Sequence, residues 1–335
     1  MLQLDDYKDA IKLSEPFPEP KDDTRSTYDL LMTALGGLNH KHYTGTGSIA
    51  HLSTDDGLLR WLQAELALRE PGPLNPIASR AINTLLYRQV GEHGRVEAKN
   101  LRRIHDLLPE NDFDSSTETV LFRGDMRQLV IDAIVNTALP TLTGCRIPLH
   151  GCLDSVLHAQ AGPWMRNDCA TIMELQGTDV EEPGQAKVTR GYRLPAKYVI
   201  HTVGPSVRDG IIADDDVDIL YNCYWNALEL TRQMPDVSSI AFPAIATGYN
   251  AFPIRKAATP SPSTRSTPGW TSTANASTSS CSPCTPSPTR SPTLTSSTPG
   301  LTTRAGRRTE KSAGRVARTF LCQPLRRRPP RGPFG

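Results

Sequence analysis

Cys145, His150 and Cys152 fall within eight positions, in the segment "TGCRIPLHGCLD" (143–154). Thiolate and imidazole are the donors that zinc prefers, and a short loop containing Pro148 can wrap them around one ion. The segment 143–154 holds no fourth cysteine or histidine. Three protein ligands with one open position is the pattern of a zinc that polarises an oxygen or a water. A zinc that only ties the loop, or two ordinary thiols beside a chance histidine, fits the same spacing. Asp154, two positions after the second cysteine, either orients a ligand or water or caps the helix that begins in "LDSVLHAQ". His40 and His42, in "GGLNHKHYTGTGS" (36–48), have no acid or cysteine partner nearby and read as surface-loop residues.

These residues need a frame, and residues 114–258 supply one. Short apolar, β-branched runs at 119–125 and 131–136 predict strands. "SVLHAQAGPWMRNDCATIMELQG" predicts one or two helices, broken near Gly162 and Pro163. Two further strands are expected at 185–192 and 196–203. A capped amphipathic helix follows in "DDDVDILYNCYWNALELTRQ", with Leu220, Tyr224, Leu228 and Leu230 inward. A last strand, in "SSIAFPAIATG", runs into a glycine loop. Strands alternating with helices argue for an α/β layered sheet, whose ligands sit beyond the carboxyl ends of the strands. Three loops meet that rule: Gly124–Asp125 after the first strand, the segment from Asn136 after the second, and "ATGYNAFP" after the last. A glycine turn in that last position can aim backbone N–H groups at a diphosphate.

Residues 1–113 read as a helical N-terminal extension. "DDGLLRWLQAELALRE" carries a leucine stripe with Ser53, Thr54 and Asp55 as candidate caps, "PGPLNP" breaks the chain, and "ASRAINTLLYRQVGE" resumes it. "KNLRRIHDLLPEND" suggests a third helix. No run of eighteen apolar residues occurs, so no membrane span is expected, and the acidic start lacks a secretory pattern. Seven scattered cysteines give no disulfide framework, which points to a reducing compartment, cytosol or nucleus.

The segments "FRGDMRQLVIDAIVNTALP", "AKYVIHTVGP" (196–205) and "SIAFPAIATGYNAFP" (239–253) resemble, in order and spacing, three signatures of the macrodomain, a three-layer α/β/α module that binds ADP-ribose. The resemblance covers roughly 119–258. The Cys-x4-His-x-Cys cluster and the helical extension resemble the zinc-containing members of that family, which remove ADP-ribose from modified proteins. The resemblance implies zinc held by Cys145, His150 and Cys152, and ADP-ribose and ADP-ribosylated proteins as partners. It implies that Gly124 and Asp125 bind the adenine end and that Asn136 binds the distal ribose. Thr247, Gly248, Tyr249 and Asn250 would hold the diphosphate. Asn136 and Asp154 become the candidate catalytic side chains, and cleavage would pass through an oxocarbenium-like state. An ADP-ribose-binding module without hydrolysis is the alternative. No nucleic-acid partner is expected, and a monomer is. The family's second ribose-contacting asparagine is replaced by Leu139, and its aromatic–glycine pair in the phosphate loop by Asn250 and Ala251.

Beyond Ala258 the composition changes. Residues 259–335 hold twelve of the 28 prolines, and twelve basic residues against one acid, whereas the chain's net charge is only +2. The tail reads as disordered, either a natural basic tail or a segment out of frame, and the second reading can be examined with the genetic code. Shifted by one nucleotide, with its serines as TCN codons, "SPSTRSTPGWT" can encode an amphipathic helix such as Ile-Ala-Leu-Asp-Thr-Val-Asp-Ala-Trp-Leu-Asp. On that reading the sheet lacks its last strand, and a non-functional product is a third reading of the chain. Cys281-x-x-Cys284 and the run "LRRRPPR" then carry no designed role.

Overall fold

The computed structural model describes residues 2–20, 22–38, 54–112, 115–207, 211–257 and 318–324. It begins with a single turn, α1 (Leu4–Tyr7), followed by α2 (Thr27–Gly36), α3 (Asp55–Leu68) and α4 (Pro76–His93). Their starts are set by side chains that accept otherwise orphaned backbone N–H groups. Ser26 accepts from Asp29, Thr54 from Gly57 and Asn75 from Ile77, with Pro76 in the first helical position. Leu30, Leu31, Leu58, Leu62, Ile82 and Leu85 close a core among α2, α3 and α4. Burying each such side chain contributes about 1.5–3 kcal/mol. The segment 36–48 with His40 and His42 lies mostly outside the described residues. The third helix expected at 99–112 shrinks to one turn, α5 (Ile104–Leu107), after a two-residue strand, β1 (Val96–Glu97).

The sheet follows as β2 (Val120–Gly124), β3 (Leu129–Val130), β4 (Ala133–Thr137), then α6 (Leu153–Ala161), α7 (Pro163–Gln176), β5 (Ala186–Arg190), β6 (Tyr198–Thr202), α8 (Asp214–Arg232), β7 (Ser239–Phe242), a turn α9 (Ile254–Ala257) and β8 (Arg318–Pro324). The expected break between α6 and α7 falls at Gly162, whose φ of 91° suits glycine, with Pro163 opening the next helix. β3 pairs with β1 in a small parallel ribbon. The main sheet has the order β2-β8-β7-β4-β6-β5, with β4 parallel to both β6 and β7. β8 is antiparallel to both neighbours, so β2 runs the same way as β7. The carboxyl ends of β2, β4, β6 and β7 therefore share one edge.

One face of the sheet packs Ala133, Val135, Val188, Ile200 and Ile240 against α8, and the other packs Ile134, Val199 and Ala241 against α6. The result is three layers, α/β/α. The α8 side is completed by Leu4, Tyr7, Ile11 and Leu13. Within residues 1–113, Leu4, Tyr7, Ile11 and Leu13 pack into the sheet's core, while α2–α4 build their own.

The tail requires a correction. The sequence reading leaves the sheet without its last strand. Instead, Arg318–Pro324 lies between β2 and β7 and joins them. An open pair of edges is a row of unpaired N–H and C=O groups, and any segment with extended propensity satisfies it. Residues 258–317 and 325–335, with Cys281, Cys284 and the arginine run, lie outside the described residues.

Candidate functional site

The loop between β4 and α6 brings the three sequence-picked donors together. The ligand atoms of Cys145, His150 and Cys152 all lie within 4.8 Å of one another, and Cys145 Sγ is 3.3 Å from His150 Nδ1. Two ligands on one tetrahedral zinc, with bonds of about 2.3 and 2.1 Å, stand roughly 3.5 Å apart, so the donor set fits such an ion. Burial pushes the Cys152 thiol up to about 12, and the neighbouring Cys145 adds to the rise. A bound divalent metal is the local charge that would favour the Cys152 thiolate. Cys152 also caps α6, accepting from Ser155 N at 3.4 Å. The capping role considered for Asp154 therefore belongs to Cys152. Leu142 and Leu149 sit in left-handed conformations, at φ 55° and 57°, a strain that clusters at functional loops.

Behind this loop runs a buried polar chain. Asp154, 3% exposed, accepts from Asn136 Nδ2 at 2.6 Å. The same nitrogen is 3.2 Å from His201 Nδ1, and His201 Nε2 is 3.0 Å from Thr189 Oγ1. Burial raises the Asp154 carboxyl to about 6, against the opposing pull of Asn136 and Arg166. Burial lowers His201 to about 3, which keeps it neutral. Asn136 is fully enclosed, with its Nδ2 engaged by Asp154 and His201 and its Oδ1 without a hydrogen-bond partner. His158, Cys169 and His201 form a second buried donor cluster. Both nitrogens of His201 already face partners there, so this cluster is a polar core.

The phosphate loop has the opposite character. Tyr249 is 86% exposed and Gly248 is exposed. Among the described residues, the backbone N–H groups of Gly248, Tyr249 and Asn250 donate no hydrogen bond. Three successive free N–H groups at a strand end form an anion-binding concavity. The loop is held from behind: Thr247 Oγ1 donates to Ala244 O at 2.9 Å, Asn250 Nδ2 to Gly204 O at 3.2 Å, and Val207 N to Asn250 O at 2.9 Å. A Cβ at Gly204 would stand 3.0 Å from Ala246 Cβ, which is why the two loops approach so closely.

At the end of β2, Gly124 leaves room for the Phe122 ring, which a Cβ would meet at 2.4 Å. Asp125 follows and binds Arg127 Nη2 at 2.6 Å. Burial works to raise its carboxyl, but the Arg127 guanidinium outweighs that and holds it below the usual carboxylate range.

A family model described as the Macro domain matches residues 135–260. A protein-ADP-ribose hydrolase of Treponema medium is 37% identical over 197 residues, which cover 59% of this chain and 72% of that relative. The chain belongs to the macrodomain family. A protein-ADP-ribose hydrolase of Staphylococcus aureus (strain MRSA252) is 46% identical over 138 residues, 41% of this chain and 51% of the relative. The chain thus spans about half the length of that relative. The solved Oceanobacillus iheyensis macrodomain with ADP is 33% identical, covers 42% of this chain and 77% of its own, and superposes with a TM-score of 0.37.

In this macrodomain the departures noted in the sequence acquire positions. Leu139 is exposed at the start of the metal loop. Ala251 adopts φ 56°, a conformation that glycine takes without cost and alanine does not. Sequence reasoning missed His158 and Arg166. His158 lies one helical turn after Asp154, with its ring against Gly144, and that i,i+4 spacing was the available signal. Arg166 gave none, because its partners are the Leu66, Ala67 and Arg69 carbonyls of α3, about a hundred residues away.

Proposed function

We propose that this macrodomain removes ADP-ribose from modified proteins, with zinc held by Cys145, His150 and Cys152. The observation that carries the reading is the shared edge: a cluster of three soft donors and a row of free backbone N–H groups leave the carboxyl ends of adjacent strands. Two relatives named protein-ADP-ribose hydrolase support the same activity. Zinc supplies Lewis-acid chemistry when bound. The rest is done by the chain. Gly248, Tyr249 and Asn250 hold the diphosphate through backbone N–H groups and so fix the distal end of the nucleotide. Asp125 borders the adenine end. Asn136 and Asp154 act together as positioning residues, tying the end of β4 to the start of α6 so that Cys152 keeps its place. Gly144, packed on the His158 ring, fixes the backbone that presents Cys145.

The test incubates the full chain with an ADP-ribosylated protein, and measures its zinc content and the free ADP-ribose released. About one zinc per chain and release that stops on chelation are expected. Binding of ADP-ribose without release would make the protein a binding module.

A further inference from the structure

Between α3, the metal loop and α6 lies a cavity of about 270 Å³. Three arginines, Arg60, Arg127 and Arg166, line it, together with Gln63, His150 and His158, and no carboxylate does. Arg127 is neutralised by Asp125. The other two guanidinium groups have no such partner. Arg60, exposed at the rim, makes no ion pair among the described residues. Arg166 is only 6% exposed and its Nε has no hydrogen-bond partner. Burial lowers Arg166 to about 10, so it stays charged at neutral pH. His158, 4% exposed, places Nε2 3.5 Å from Asp154. Its own charge is suppressed by burial and by the nearby His201 and Arg166.

A recess lined by three arginines and by no carboxylate selects an anion. Its position says which. Cys145 and His150 form part of its wall, so a group entering it sits beside the metal loop. The phosphate loop, on β7, does not contribute to it, so it is not the diphosphate cradle. Its volume is below the roughly 300–1,000 Å³ of pockets that hold whole small molecules and suits one or two side chains.

We propose that this cavity is a subsite for the modified protein: it takes an acidic side chain that neighbours the ADP-ribosylated residue. α3 of the N-terminal region thereby becomes part of substrate selection, through Arg60 and Gln63. The proposal rests on the ADP-ribosyl-protein reading above.

The experiment uses the full chain and two ADP-ribosylated decapeptides joined through a linkage that cannot be cleaved, one flanked by glutamates and one by lysines. Calorimetry compares their affinities with that of free ADP-ribose. The glutamate peptide should bind at least tenfold more tightly than the lysine peptide. Arg60→Glu, an exposed substitution, should abolish or reverse that preference while free ADP-ribose binds within twofold of the parent. Gln63→Glu should weaken the glutamate peptide selectively. Equal affinity for both peptides, or a preference that survives Arg60→Glu, overturns the subsite. Failure of free ADP-ribose to bind at all overturns the functional reading first, and the subsite with it.

Discussion

The loop after β4 and the loop after β7 leave the same edge of the sheet, yet they are built by different means. The metal loop is specified by side chains: Cys152 caps α6, Asp154 and Asn136 bond underneath, and Arg146 forms a two-pronged ion pair with Glu70 at the end of α3. The phosphate loop is specified by backbone: the N–H groups of Gly248, Tyr249 and Asn250 donate no hydrogen bond among the described residues, the Ala244, Ala246, Gly248 and Asn250 carbonyls accept one, and Ala246 and Ala251 stand at φ 60° and 56°. A loop made from side chains announces itself in sequence. A loop made from backbone shows only small residues. The two should also fail differently when altered.

Ending the chain after Ala257 gives the largest expected effect. It removes β8, the strand that borders β7 and joins β2 to the rest of the sheet. With stability of only about 5–15 kcal/mol for a typical domain, loss of a central strand should abolish cooperative thermal unfolding. A sharp transition in the shortened chain would show that β8 contributes nothing, and would revive the reading of the tail as an unrelated segment.

Asn136→Leu should come next. It leaves the Asp154 carboxyl buried without its donor, at a cost of about 2–3 kcal/mol, seen as a lower denaturant midpoint with an unchanged slope. The phosphate loop should be indifferent, so any residual folded protein should keep its ADP-ribose affinity.

Gly248→Glu reverses that pattern. The added Cβ meets nothing within 4 Å and the backbone is not left-handed, so melting temperature should hold. A carboxylate set beside the diphosphate should weaken ADP-ribose by tenfold or more, about 1.4 kcal/mol at the lower bound, in a titration. Unchanged affinity would remove the diphosphate from this loop.

Ala251→Gly is the smallest effect and has the opposite sign. Relief of the left-handed strain should stabilise the fold by about 0.5–1 kcal/mol. A destabilised variant would mean that the alanine methyl packs more than it strains.

The contrast between the loops also explains what was legible in the sequence. Thr54, Asn75 and the Gly162–Pro163 pair mark local events, and α3, α4 and the α6–α7 break fall close to where they were expected. The β-branched runs gave β2, β4, β5, β6 and β7 within a few residues. The three metal-loop donors were legible because their spacing is local. Other features depend on partners far away in the chain. Tyr7 OH accepts from Val188 N across 181 positions, at 3.0 Å, and nothing near Tyr7 signals that its segment completes the sheet's core. Asn136 was read from its neighbours in sequence, whereas the partners of its Nδ2, His201 and Asp154, are distant in the chain. β8 was missed because a Pro- and Arg-rich composition outweighed a short extended run.

The central claim is that the metal loop cleaves and the phosphate loop binds. Side-by-side measurement of bound zinc, ADP-ribose affinity and ADP-ribose release in the His150→Ala chain tests it most directly. Only interactions stronger in the transition state raise turnover, so release should fall by a hundredfold or more, with zinc content, while ADP-ribose binds within a few-fold of the parent. Normal release from a chain that has lost its zinc would contradict the account.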